Sequence, residues 1–454
     1  MFSKIGNVIF ENEAVARTSD FRMGLEIEMD RADETGHLST EPYPDTIGDA
    51  HSNPWITEDF LVAMSEVVTP PANSPLDAMH YLYRINNALR NALAPGEILW
   101  PLSMPPIMPK DKSSDFDLLN DSTTEKRDFL VNWVKLHHGM AEALPCGAHI
   151  NLSIHDHVIK LIQSQMSDTF KTDQEVKDYL YMRLGQGFVR YRWLITYLFG
   201  ASPIAEKNYY DEDKGPNHPI RSLRQSHRYG YGAKFLVDYT SIDKYIKSIH
   251  DAVKKKLLIR ASEGQGPIRF RGGKDLDDLK NTGIQYLELR MLDLDPTSAI
   301  GIKTNTIRFM RLLASYFIMN PPLKQSSVNE ALDHANQLND EVASEEPTHF
   351  AHQVQAISFI NRLKLFVDQL QAGPEYTEVI QEMEMRIRYP ELTPSAQLLG
   401  KMKNGSLVDY AVEVGKKYQE SALVALRPFD GFDTTKQPSA DDLKKYLFRD
   451  SFKS

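Results

Sequence analysis

Glu26 and Glu28 stand two residues apart in Met23-Gly24-Leu25-Glu26-Ile27-Glu28-Met29-Asp30, a run that alternates apolar and polar with the period of a β-strand. Met23, Leu25, Ile27 and Met29 then share one face and the two carboxylates the other, roughly 7 Å apart along the strand, close enough to bind one divalent ion jointly or two neighbouring ions. The solvated outer face of an edge strand would carry the same pattern. The alternation recurs twice. Residues 147–154 set Ala148, Ile150, Leu152 and Ile154 against His149, Asn151 and Ser153, and residues 285–291 set Leu287, Leu289 and Met291 against Tyr286, Glu288 and Arg290. If the three strands pair in one sheet, its polar face gathers Glu26, Glu28, His149 and Glu288 with Arg290 beside them, too acidic a set to stand without divalent cations. Carboxylate-rich ligation suits Mg²⁺ or Mn²⁺, and one imidazole does not demand zinc.

Residues 56–66 read as a helix that puts Asp59 and Glu66, seven apart, on one face two turns from each other, with 67–70 returning to strand so that Glu66 stands at the junction. A solvated helix face would look alike. No glycine-rich phosphate loop, G-x-G-x-x-G, H-E-x-x-H or G-x-S-x-G motif is present, so bound nucleotide phosphates would have to be held by metals and arginines. The candidates are the basic, aromatic segments 221–231, with Arg221, Arg224 and Arg228, and 268–271, with Arg269 and Arg271.

The elements around these residues divide at about position 320. Up to there strands and helices mix, interrupted by Pro- or Gly-rich connections at 101–117, 206–221 and 262–278, which predicts an α+β catalytic core over 1–320. Helix-like runs at 348–371, 375–388 and 395–425, with Pro390 and Pro394 at a break, predict a helical C-terminal region over 321–454 packed on that core. With 41% hydrophobic and 25% charged residues among 454, the composition is that of a globular chain. The net charge of −10 and a pI near 5.8 argue against nucleic acid as a partner. One cysteine, Cys146, cannot form an intramolecular disulfide, and residues 1–14 carry acids where a secretory signal needs an apolar run, which predicts a cytoplasmic chain. The apolar stretches near 193–205 and 309–319 are too short or too charged at their edges to cross a bilayer.

The strings GLEIEMD at 24–30, TEDFLVAMSEVVTP at 57–70, LWPLSMPP at 99–106, GAHINLSI at 147–154, VRYRWLITYLFGASPIA at 189–205, SLRQS at 222–226, PIRFRG at 267–272 and QYLELRMLDLDPTSAIGI at 285–302 resemble, in order, the bacterial glutamate–cysteine ligases. The ligase half of the bifunctional glutathione synthases is included in that resemblance. It implies a funnel of antiparallel sheet of the glutamine synthetase and guanidino-kinase type, with surrounding helices, holding ATP and two or three Mg²⁺ ions. Motif by motif, it implies Glu26, Glu28, Asp59, Glu66, His149 and Glu288 as metal ligands. Arg290 resembles the cation on the transferred phosphoryl group, Arg224 the substrate or phosphate arginine, and Arg269 a nucleotide contact. The implied activity joins the γ-carboxylate of glutamate to the amine of L-cysteine through γ-glutamyl phosphate. Two positions depart from the family pattern. Gln265 stands where a cysteine-holding tyrosine is usual, and Tyr231 matches the other acceptor-side tyrosine only if one extra residue is absorbed in its loop, so another amino acid or amine remains an alternative acceptor. No ATP-grasp domain follows within the chain, which predicts that catalysis stops at the γ-glutamyl dipeptide.

Overall fold

The three alternating segments are strands of one sheet. In the computed structural model, which describes residues 2–12, 21–50, 53–110, 115–120, 123–137, 140–211, 214–230, 235–264 and 266–425, the strands are β1 (Phe21–Asp33), β2 (Ile56–Glu58), β3 (Met64–Val68), β4 (Glu97–Leu99), β5 (Gly147–Ile154), β6 (Ile268–Arg271) and β7 (Tyr286–Asp293). Their order is β2-β3-β1-β5-β7-β6, with β4 pairing on the end of β1, and every pairing is antiparallel. The spine is β1, long enough to pair with β3, β4 and β5 at once.

Alternation decides which face packs. Leu25, Ile150, Leu152, Leu287 and Leu289 are wholly buried, and each such side chain contributes about 2 kcal/mol when taken from water. The long helix Asp173–Phe199 packs on β7. Tyr181 pins it there: its hydroxyl donates to Gln285 O at 2.7 Å and accepts from Ile154 N at 3.0 Å. Thr172 caps the helix by accepting from Glu175 N at 3.2 Å. The helix ends at Gly200, where a Cβ would lie 2.6 Å from Thr196 O, so the chain turns there into the Ala201-Ser202-Pro203 loop that borders the polar face.

Residues 56–66 are a hairpin and not the expected helix. Ile56 lies opposite Val67 and Thr57 opposite Glu66, so β-branched residues at both ends favour paired strands. The turn is closed by Asp59 N on Met64 O at 2.9 Å and Met64 N on Leu61 O at 3.0 Å. Past position 320 the described residues are helical, but the run expected over 395–425 is two helices, Pro394–Leu399 and Val408–Ala425. They are separated by a turn in which Asn404 (φ 51°) and Gly405 (φ 79°) are both left-handed. Helix Val328–Ser344 lies along Asp173–Phe199, and Val408–Ala425 lies along Pro75–Ala92. Among the described residues no helix is long and apolar enough to cross a membrane.

Candidate active site

Strand register brings the acids together. Glu28 lies opposite Glu66, Glu26 opposite His149, and Glu288 opposite both Asn151 and Arg269, so all share the polar face. His149 is fully buried among three carboxylates: Nδ1 is 3.6 Å from Glu26 Oε2 and 3.8 Å from Glu288 Oε1, and Nε2 is 3.7 Å from Glu28 Oε1. Two further bonds fix the acids. Asn151 Nδ2 donates to Glu26 Oε1 at 2.6 Å and Gly147 N donates to Glu28 Oε2 at 2.9 Å. Asp59 comes from the loop after β2, whose carbonyl Asn120 Nδ2 holds at 2.9 Å.

The electrostatics of this wall are those of a cation site. Burial, then the charge of Asp59, pushes the Glu28 carboxyl up to about 7. Burial likewise raises Asp59, and burial with Asp59 and Glu26 raises Glu66 well above the carboxylate range. Burial and the neighbouring Arg290 keep His149 neutral, as a metal ligand must be. One ligand atom each from Glu26, His149 and Glu288 lie within 4.8 Å of one another, and donors around a single small divalent ion at about 2.1 Å stand roughly 3 to 4 Å apart. A divalent cation fits these residues, because it replaces the protons that the buried acids otherwise take up. The consequence is measurable in chelator-treated protein. Glu28 is raised from 4.5 to about 7, so its contribution to stability is present below the unfolded value and is lost as pH rises through about 7, an effect on the order of 3 kcal/mol. Melting temperature should fall between pH 5 and 8 without metal, and excess Mg²⁺ should stabilise more at pH 8 than at pH 5. A flat profile under both conditions would count against the cluster as an ion site.

Two arginines bracket Glu288. Arg271 donates to its Oε2 through Nε and Nη2, both at 2.9 Å, and Arg290 Nη1 donates to its Oε1. Burial alone would raise Glu288; Arg290, with Arg271 beside it, holds it below its ordinary value. Arg290 Nη1 also lies 3.4 Å from His149 Nδ1. Arg224 reaches in from the other side, donating to Arg290 O at 3.1 Å, Leu292 O at 3.0 Å and Pro145 O at 3.4 Å, with Nη2 at 3.4 Å from His149 Nε2. Glu28, Asp59, Arg224 and Arg290 open onto a cavity of about 980 Å³, a volume suited to small substrates. Arg269 is on the same face in β6, opposite Glu288. Tyr231 and Gln265 lie outside the described residues.

The sequence names Arg271 and Asn151 without their partners and leaves Asp293 unmarked. Arg271 could have been paired with Glu288 by continuing the period of two from Arg269. Asn151 was on the polar face but had no assigned partner. Asp293 was hidden by a bulge: β5 and β7 slip register between Ala148 and Ile150, so Asp293 lies opposite Gly147 and shares the face of His149. Its Oδ2 accepts from Ala201 N at 2.8 Å and from Ser202 Oγ and Ser222 Oγ at 2.7 Å, and its Oδ1 is 3.9 Å from Arg224 Nη1. Cys146 is fully buried with its thiol pushed well up by burial and by Asp30, which leaves no nucleophilic thiolate. Cys146→Ala should keep kcat within a few-fold and lose roughly 1 to 2 kcal/mol of stability to the small cavity; a kcat loss beyond about a hundredfold would give the thiol a chemical role.

A family profile described as glutamate-cysteine ligase matches residues 7–260 and 262–340. The chain is 32% identical over 432 residues to the glutathione biosynthesis bifunctional protein of Lactiplantibacillus plantarum, covering 94% of this chain and 55% of that one. It is also 32% identical over 422 residues to the corresponding protein of Enterococcus faecalis, covering 90% and 54%. The chain thus spans about half the length of these curated relatives. Among solved structures it superposes on a bifunctional glutathione synthetase from Pasteurella multocida with a TM-score of 0.81 at 26% identity, over 96% of this chain and 56% of that one. It also superposes on a glutamate–cysteine ligase from Francisella tularensis in complex with AMP, with a TM-score of 0.79 over 96% and 94% of the two chains; at 19% identity that likeness establishes the fold alone. With its buried acid, histidine and arginine wall on an antiparallel sheet, the chain belongs to the glutamate–cysteine ligase family.

Proposed function

We propose that this chain joins the γ-carboxylate of glutamate to the amine of L-cysteine at the expense of ATP, the first step of glutathione biosynthesis, in the cytoplasm. The observation that carries the reading is the single polar wall on which Glu26, Glu28, Glu66, His149, Glu288 and Arg290 converge beside the cavity. The names of the bifunctional relatives and the AMP bound to the Francisella ligase support it. In this reading the sheet is the wall of a funnel of the glutamine synthetase type, with residues 1–320 as the catalytic core and 321–454 as its helical support.

A carboxylate is a poor electrophile, so its oxygen must first attack the γ-phosphorus of ATP; ADP leaves, and the amine then displaces phosphate from γ-glutamyl phosphate. Glu26, Glu28, Asp59, Glu66, His149 and Glu288 would hold two or three Mg²⁺ or Mn²⁺ ions, whose charge offsets that of the phosphates. Arg290 reaches the transferred phosphoryl group from its place against Glu288, where Glu288 and Glu28 keep its guanidinium charged despite burial. Arg269 and Arg271 serve the nucleotide phosphates, and Arg224, fixed by three carbonyls, orients the glutamate side. Neutral His149 keeps a lone pair on one ring nitrogen for a cation while the other nitrogen carries its proton. The family resemblance assigns Tyr231 and Gln265, which lie outside the described residues, to the acceptor. Gln265, where the family pattern has tyrosine, favours as a second reading the same chemistry with another amino acid or amine.

Mass spectrometry of products formed from glutamate, ATP and mixed amino acids tests both readings. γ-Glutamylcysteine with one ADP and one phosphate per amide is the expected result, and a different γ-glutamyl amide selects the second reading. ATP turnover without any amide, or a phosphorylated nitrogen product, would overturn the ligase assignment.

A further inference from the structure

Arg192 lies on the helix Asp173–Phe199 and faces the cavity. Among the described residues its guanidinium forms no hydrogen bond or ion pair, and its Nε is shielded from solvent with no partner. Burial lowers it only to about 10, with Tyr239 and Asp340 acting against that shift, so it is a full cation at neutral pH. Asp340 does not neutralise it by contact, being engaged instead by His227 N at 2.6 Å and Ser226 Oγ at 3.4 Å. A half-buried cation with no partner is costly to keep. Three carboxamides line the same cavity; Asn208 Nδ2 is taken up by Met108 O at 2.7 Å, and the side chains of Gln225 and Asn336 have no partner among the described residues. Arg192, Gln225 and Asn336 come from different elements that are locked behind the cavity wall. Thr196 Oγ1, one turn along the helix from Arg192, donates to Asn339 Oδ1 at 2.7 Å, and Asn339 Nδ2 donates to Gln225 O at 3.2 Å. Asn336 is one turn from Asn339 on the helix Val328–Ser344. Gln225 directly follows Arg224, so this polar corner adjoins the arginine that approaches His149.

A planar guanidinium that shares a cavity with free carboxamides matches a carboxylate, which accepts two parallel N–H bonds from the fork and leaves lone pairs for the amides. We propose that Arg192, with Gln225 and Asn336, is the binding site for the α-carboxylate of an amino-acid substrate, a group that takes no part in the bond-making steps. The assignment rests on the ligase reading for the identity of the substrates, but binding tests it without turnover.

Isothermal titration calorimetry, with Mg²⁺ and a non-hydrolysable ATP analogue present, compares L-glutamate with 4-aminobutyrate and L-cysteine with cysteamine; the second member of each pair lacks only the α-carboxylate. The unsubstituted protein should bind one of the acids at least about tenfold more tightly than its decarboxylated partner, and the pair that shows this identifies the substrate. Arg192→Gln should bring that ratio to within about threefold while the affinity for the ATP analogue stays unchanged. A ratio retained in Arg192→Gln, or no preference in the unsubstituted protein for either acid, overturns the proposal. If Arg192→Gln does not fold, Gln225→Ala and Asn336→Ala decide: a smaller ratio in at least one is expected, and an unchanged ratio in both overturns it. A protein that shows the Arg192-dependent preference yet forms no γ-glutamyl amide would remove the ligase reading and leave the carboxylate site standing.

Discussion

Arg290→Gln should lower kcat by roughly a thousandfold, about 4 kcal/mol of transition-state stabilisation, and no concentration of Mg²⁺ or Mn²⁺ should restore it. Its Nη1 sits between Glu288 Oε1 and His149 Nδ1, where the proposed mechanism gathers negative charge as the phosphoryl group moves. Glu288→Gln keeps the shape but offers a weaker ligand, so its activity should also fall yet recover in part as metal is raised. Glu288 is fully buried between Arg271 and Arg290, so removing its charge leaves two cations uncompensated and should lower the melting temperature as well. That loss is read separately, by thermal unfolding, from the metal dependence of kcat. A pair that served structure alone would give near-normal turnover in both folded variants. Identical metal rescue in both would equally sink the division of roles, since only one of the two side chains is proposed as a metal ligand.

Alternation made the two faces of β1, β5 and β7 readable, because the side-chain period of a strand is fixed by its backbone. What alternation leaves out is which strands are neighbours and in what register, and that is what puts Glu26 opposite His149 and Glu28 opposite Glu66. Asp59 and Glu66 show how a wrong element can still lead to a right neighbourhood. Seven residues span two helical turns, but here they span a tight hairpin turn, and Glu66 reaches the site by cross-strand pairing with Glu28. The slip in β7 reverses the lesson. Up to Arg290 the period of two holds; beyond the bulge Leu292 joins the apolar face opposite Ala148 and Asp293 joins the polar one opposite Gly147. No local pattern announces such a bulge, since it is set by the partner strand. The unpaired state of Arg192 was equally invisible, because it depends on three elements far apart in sequence converging on one cavity.

Gly147→Ala should cost activity as severely as loss of Arg224, on the order of a hundredfold or more in kcat/KM, although it adds a single methyl group to a residue that touches no substrate. A Cβ at Gly147 would stand 2.0 Å from Arg224 Nη2 and 2.3 Å from its Cζ, well inside contact distance, so the guanidinium would have to leave. It has little freedom to do so in place. Its Nη1 and Nε are committed to the carbonyls of Arg290, Leu292 and Pro145, and Asp293 behind it is fixed by Ala201, Ser202 and Ser222. The alternative is that β5 itself shifts, which would pull Gly147 N from Glu28 Oε2 and displace His149 two residues on. Those two routes differ in a double-mutant cycle. If the methyl acts only by evicting Arg224, Gly147→Ala should add little to Arg224→Ala, and metal affinity should stay as in Arg224→Ala alone. If the strand moves, the double variant should be weaker in both activity and Mg²⁺ binding than either single one. Ordinary kinetics in Gly147→Ala would show that the guanidinium is not held where its three carbonyl bonds place it, and the orienting role given to Arg224 would fall with it.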